Sequence, residues 1–181
     1  YVSDDLAGVE IGGAVKNVVA IACGVAQGAG FGFNTRSALI TRGLDEMKTL
    51  AEAVGGRRET VTGLSGVGDL TLTCSSEQSR NMRLGVQLGA GTSRAACFEG
   101  RPVLVEGERS ALAVTDLARA NGLRLPLCEA VRAFLHEGVA ISSAFAALWG
   151  RPLQGEPRAL ELEIGHPAAD RAEGHFAKVM P

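Results

Sequence analysis

Lys16 stands inside GGAVKNVVAIACG (12–24), where nearly every neighbour is small and apolar. An ammonium in such a run has two readings. As a structural residue it sits near a helix end and carries its amine to water along its own stem. As a chemical residue it lies in a partly dry cleft, where desolvation lowers an amine's pKa and lets it exchange protons near neutrality. Asn17, next to it, can orient a hydroxyl or carbonyl at the same place. A second group lies in GVGDLTLTCSSEQSRNMR (66–83). Asp69 is either a turn or cap residue or the charge partner that places Lys16. Thr73, four residues on, presents its hydroxyl to the same side if this piece is helical. Ser79, Arg80 and Asn81 stand at an expected helix start. There the helix dipole, free N–H groups and an arginine fork make a phosphate seat; a solvated arginine is the plainer alternative.

Helices must position these groups. Asp4 or Asp5 caps a first helix that starts near Leu6, and residues 7–29 are apolar nearly all round, the pattern of a central helix. Gly28, Gly30 and Gly32 end it. Asn34 or Thr35 then caps a helix over 36–54, with Ile40, Leu44, Met47, Ala51 and Val54 on its apolar side and Arg42, Asp45, Glu46, Lys48 and Glu52 largely elsewhere. The Gly- and Ser/Thr-rich stretch that follows reads partly as loop, with a short helix or turn at 69–74. Ser79 caps a helix to Gly89. Residues 90–103 read as a connection, 106–120 as a helix ending at Asn121-Gly122, and two further helices follow around 127–135 and 143–149. The fold class is mainly α, a single domain of clustered helices over 1–153. Residues 154–181 lose periodicity apart from a turn at 159–164 and read as a loosely ordered tail.

Composition removes several classes of function. A net charge of −2 and 4% aromatics give no polyanion-binding surface and no base-stacking platform, so nucleic acid is not expected. Cys23, Cys74, Cys97 and Cys128 form no CxxC and pair with no His at ligand spacing, so neither a metal nor a disulfide framework is expected. His136, His166 and His175 are scattered and receive no role. The longest apolar run, 18–33, is interrupted by Gln27 and short of a bilayer span, and YVSDDLAGVE lacks the regions of a signal peptide; a cytoplasmic protein is expected. GAGFGF follows a helix and lacks GxGxxG, so it is not a dinucleotide loop, and the chain holds no Rossmann half. No GxSxG or P-loop occurs.

Taken together, GVEIGGAVKNVVAIACGVAQGAGFGFNTRSALITRGLDEM, GLSGVGDLTLTC and SRNMRLG resemble the C-terminal substrate domain of bacterial-type NAD(P)-dependent glycerol-3-phosphate dehydrogenases. The resemblance runs from about Asp4 to Leu153 and includes VEG at 105–107 and RPL at 151–153. It implies a fold like the C-terminal domain of 6-phosphogluconate dehydrogenase, following an N-terminal Rossmann domain. YVSDDLAGVE begins where that first domain would be ending, so the chain reads as a piece of a longer protein. The resemblance makes Lys16 the proton donor and acceptor, and places Lys16, Asn17, Asp69, Thr73, Ser79, Arg80 and Asn81 around the substrate. Arg80, Leu104 and Glu106 would touch NAD or NADP, held mainly by the missing half.

The implied reaction interconverts dihydroxyacetone phosphate and glycerol 3-phosphate, the latter for phospholipid synthesis. Partners would be that substrate and the chain's own Rossmann domain, with a homodimer as a further candidate. Two alternatives stand beside it: the substrate domain of a related hydroxy-acid reductase, against which the phosphate seat argues, and a non-catalytic helical dimerisation module.

Overall fold

The Asp5 carboxylate accepts the Gly8 N–H at 2.9 Å and so caps α1, Leu6–Gly28. The computed structural model describes residues 2–150, together with the backbone of 153–154 and 163–164. From Asn17 to Ala26 every residue of α1 is buried, so the helix runs through the middle of the fold with the later helices packed around it. By length and composition α1 could cross a membrane, yet 72% of its most apolar window is buried inside the fold, which makes it a core helix. It stops where Gly30 takes a left-handed conformation (φ 82°) and the Phe31 N–H reaches back to the Ala26 carbonyl.

The surrounding helices are α2 (Phe33–Ala53), α3 (Arg58–Thr62), α4 (Asp69–Ser75), α5 (Arg80–Gly89), α6 (Glu106–Ala120), α7 (Pro126–His136) and α8 (Ile141–Trp149). A single π-helical turn, Leu64–Gly68, leads into α4, and a 3-10 turn, Cys97–Gly100, lies between α5 and α6. The mainly-α, clustered-helix expectation therefore describes the observed architecture. A two-residue antiparallel pair, β1 (Leu153–Gln154) with β2 (Glu163–Ile164), falls at the start of and within the stretch read as a tail. The rest of that stretch, and of the turn read at 159–164, lies outside the described residues.

Three local readings are corrected. Helix α2 begins at Phe33 rather than Arg36, after Gly32 in extended conformation, and no side chain of Asn34 or Thr35 caps it. Part of the stretch read as loop is helical: α3 and the π turn precede α4. Glu46, placed on the polar side of its helix, is buried. Its two oxygens accept the N–H groups of Leu127 (2.5 Å) and Cys128 (3.0 Å). These belong to the first turn of α7, which has Pro126 at its start and no side-chain cap of its own. The α7 cap is thus a carboxylate supplied by another helix, satisfying orphan donors and facing the positive end of the dipole. Burial pushes the Glu46 carboxyl up to about 7 against the pull of those hydrogen bonds.

Close backbone approach explains the glycines of α1 and α5. A Cβ on Gly24 would stand 2.2 Å from the Met82 carbonyl oxygen, and one on Gly85 2.2 Å from that of Ile21. The two helices rise in the same direction along this seam, and the first turn of α5 is brought beside Asn17 in the middle of α1.

Candidate active site

Glycines also build the site. A Cβ on Gly66 would lie 1.7 Å from the Val61 carbonyl oxygen, and one on Gly12 2.7 Å from that of Ser65. Without a side chain at Gly12 the π turn presses directly onto α1, one turn before Lys16, and without one at Gly66 the same turn folds back against Val61 of α3. Asp69, the first residue of α4, then lands beside Lys16, and the two form an ion pair across 53 residues of sequence. The side chains keep 22% and 38% exposure, so the pair lies at the rim of the buried half of α1, open to solvent on one side. Thr73 donates its hydroxyl to the Asp69 carbonyl at 2.6 Å and lies 3.5 Å from the Asp69 carboxylate.

The α1–α5 seam assembles a second group. The Asn81 amide nitrogen donates to the Asn17 side-chain oxygen at 2.9 Å, and the Gly107 N–H donates to the Asn81 side-chain oxygen at 2.8 Å. A Cβ on Gly107 would stand 2.7 Å from both the Asn17 carbonyl oxygen and Asn81 Oδ1, so the start of α6 is pressed onto this pair. The Asn17 nitrogen donates to the Gly13 carbonyl (3.1 Å) and reaches Glu106 (3.4 Å). Glu106 in turn faces Arg80 at 3.5 Å, both side chains about half exposed. Ser79 caps α5 by accepting the Met82 N–H at 3.3 Å.

Of the residues singled out in the sequence, Lys16, Asp69 and Thr73 thus meet as one group, and Asn17, Arg80, Asn81 and Glu106 as another. Lys16 and Asn17 are successive on α1 and join the two. Ser79 serves the α5 start, and Leu104 is exposed just ahead of α6. The sequence reading missed the Gly107 N–H, and also Arg94, whose guanidinium grips Glu108 two residues beyond Glu106. A backbone donor has no signal in residue type, and an arginine in an irregular segment reads as solvated. Among the described residues no group of three His, Cys, Asp or Glu is placed to hold a metal ion, and all four cysteines are buried and free.

A lysine–aspartate pair and an amide network beside the start of a helix carrying a half-exposed arginine make a partly exposed polar site on a helical domain. Residues 5–146 match the family described as NAD-dependent glycerol-3-phosphate dehydrogenase C-terminus, and the chain belongs to that family. It is 52% identical over 156 residues to a protein of Caulobacter vibrioides named glycerol-3-phosphate dehydrogenase [NAD(P)+], covering 86% of this chain and 47% of the relative. Among solved structures it is similar to glycerol-3-phosphate dehydrogenase from Coxiella burnetii (43% identity, TM-score 0.78, 83% of this chain and 46% of that one). It is also similar to the enzyme from Saccharomyces cerevisiae (28% identity, TM-score 0.69, 80% and 42%). The chain spans about half the length of the curated relatives it matches.

Proposed function

We propose that this chain is the substrate-binding and catalytic half of an NAD(P)-dependent glycerol-3-phosphate dehydrogenase, working in the cytoplasm with an N-terminal Rossmann half. The observation that carries the reading is the Lys16–Asp69 pair, held at the rim of a buried helix and joined through Asn17 to the Arg80 end of α5. The residues fit one wall of a dinucleotide site. Leu104 offers an exposed apolar face, and Arg80 and Glu106 offer half-exposed charges of opposite sign. When bound, NAD(P)H supplies the hydride.

Everything else falls to this chain. As the ketone carbon of dihydroxyacetone phosphate is reduced, negative charge grows on its oxygen. The Lys16 ammonium stabilises that charge and delivers the proton. In the oxidising direction the neutral amine accepts the hydroxyl proton. Asp69 holds the amine in place and Thr73 bonds to Asp69 from the next turn. Arg80 and the positive end of α5 take the phosphate, and this remote anchor orients the reacting carbon. Leu64 and Leu72, on either side of Asp69, are exposed together with Leu104. Exposed leucines close in sequence to Asp69 and Glu106 suit a covering body such as the N-terminal half. In this reading residues 1–153 form the functional domain and 154–181 carry no assigned role.

The test is turnover. The full-length protein oxidises NAD(P)H in the presence of dihydroxyacetone phosphate, with unphosphorylated dihydroxyacetone a poor substrate, and the 181-residue chain alone does not. Preference for a phosphate-free keto acid would favour a hydroxy-acid reductase. A full-length protein without any turnover would favour a non-catalytic module.

A further inference from the structure

Leu104 and Glu106 point to the surface while Val105 between them is buried, the alternation of an extended segment. What fixes that segment is Arg94. Its Nε and Nη2 bond to the two oxygens of Glu108 at 2.6 and 2.8 Å, and Nη2 also donates to the Val103 carbonyl at 3.2 Å. One guanidinium therefore grips the residue before Leu104 and the residue two after Glu106. The carboxylate hydrogen bond holds the Arg94 pKa above its ordinary value. Glu108 is itself tied to α7, its carbonyl oxygen lying 2.7 Å from His136 Nε2.

The rest of the connection needs such a grip. Phe98 and Glu99 both adopt left-handed conformations (φ 56° and 61°), which are costly for residues with a Cβ. Their turn is held by the Phe98 N–H on the Gln87 side-chain oxygen at 2.7 Å and by the Phe98 ring under Arg83 at 5.4 Å. A strained turn upstream relaxes if its downstream anchor is lost, and residues 103–106 then no longer keep one register.

We propose that Arg94 is a positioning residue for dinucleotide binding. It touches neither substrate nor cofactor, and acts by holding Leu104 and Glu106 where they complete the cofactor wall. The inference rests on the functional reading above. It concerns an arginine that no motif marks, since its effect passes through a fork shared between a side chain and a main-chain carbonyl.

The test uses the full-length protein and its Arg94→Ala and Arg94→Lys variants. Three quantities are measured: NAD(P)H affinity by fluorescence titration, steady-state constants, and amide hydrogen exchange without ligand. Arg94→Ala weakens NAD(P)H binding about 10-fold, the scale of one charge-assisted contact. At saturating cofactor the loss in kcat/KM for dihydroxyacetone phosphate is smaller than the loss of NAD(P)H affinity, since the substrate is reached only indirectly, through the contacts of Glu106 with Asn17 and Arg80. Exchange at Leu104–Glu106 quickens. Arg94→Lys recovers part, because a point charge replaces a fork. Unchanged NAD(P)H affinity, or a parallel loss of every constant together with the melting temperature, overturns the assignment and leaves the dehydrogenase reading standing. A wild-type protein that binds no NAD(P)H overturns the reading itself and this assignment with it.

Discussion

Asn81 bonds in two directions at once: its nitrogen donates to Asn17 on α1 at 2.9 Å, and its oxygen accepts the Gly107 N–H of α6 at 2.8 Å. Three helices meet at one buried amide. Asn81→Ala therefore leaves a buried N–H and a buried amide oxygen without these partners, at a cost of about 1–3 kcal/mol. The urea midpoint falls accordingly. An unchanged midpoint would mean that water replaces the amide freely.

Two helix glycines, Gly85 in the buried seam and Gly13 on the open side of α1, make opposite predictions. At Gly85 a Cβ meets the Ile21 carbonyl at 2.2 Å and the Gly24 Cα at 2.8 Å, both backbone atoms that cannot swing away. Gly85→Ala destabilises by about 1–3 kcal/mol or more, the cost of overpacking. At Gly13 nothing lies within 4 Å. Gly13→Ala stabilises by up to about 1 kcal/mol through helix propensity. Equal effects in thermal unfolding would contradict the helix seam.

Glu46 sets a pH dependence whose sign is fixed. Its folded pKa is raised to about 7 from 4.5, so the folded chain holds a proton that the unfolded chain has released. Its contribution to stability is full below about pH 4.5 and is lost as pH rises through about 7, by roughly 3 kcal/mol at most. Asp5 acts in a separate window. Its carboxyl is lowered by the Gly8 N–H first, so its contribution is lost only as pH falls below the usual aspartate range. Glu46→Gln flattens the stability profile between pH 5 and 7.5, read from denaturant midpoints, and leaves the acid limb in place. A wild-type profile that rises over that window would refute the assignment.

The contrast between Glu46 and Asp5 shows what could be read without a structure. Asp5 caps its own helix three residues on, so residue type and spacing suffice. Glu46 caps a helix that starts some 80 residues later, and its periodicity placed it wrongly on the wet side. The same division holds at the site. Ser79 at the start of α5 and the apolar α1 are local patterns, legible from spacing. The Lys16–Asp69 contact depends on Gly12 letting the π turn touch α1, which no local pattern records; residue type left Asp69 open between a turn or cap residue and the partner of Lys16. Arg94 lay in a segment without periodicity and with two left-handed residues, and went unread.

Arg80 separates the phosphate seat from a plain surface arginine. In the full-length protein Arg80→Ala lowers kcat/KM for dihydroxyacetone phosphate by about 10- to 100-fold, the worth of a charge-assisted contact. Turnover falls along with affinity, because remote anchoring aligns the reacting carbon. Arg80→Lys restores only part. Unaltered kcat/KM in Arg80→Ala would remove the α5 start from the substrate site.

On the proposed function, Lys16 is kept in an apolar helix for proton transfer, facing Asp69 at the rim rather than the core. Lys16→Met keeps the stem and deletes the proton, so it separates chemistry from packing. The decisive measurement is kcat for dihydroxyacetone phosphate reduction by the full-length Lys16→Met protein, taken alongside its melting temperature. Proton transfer through Lys16 predicts a fall of about 10²–10⁴, the usual worth of a positioned acid or base, with a melting temperature that holds or rises. A near-normal kcat would contradict it and leave Lys16 a structural residue.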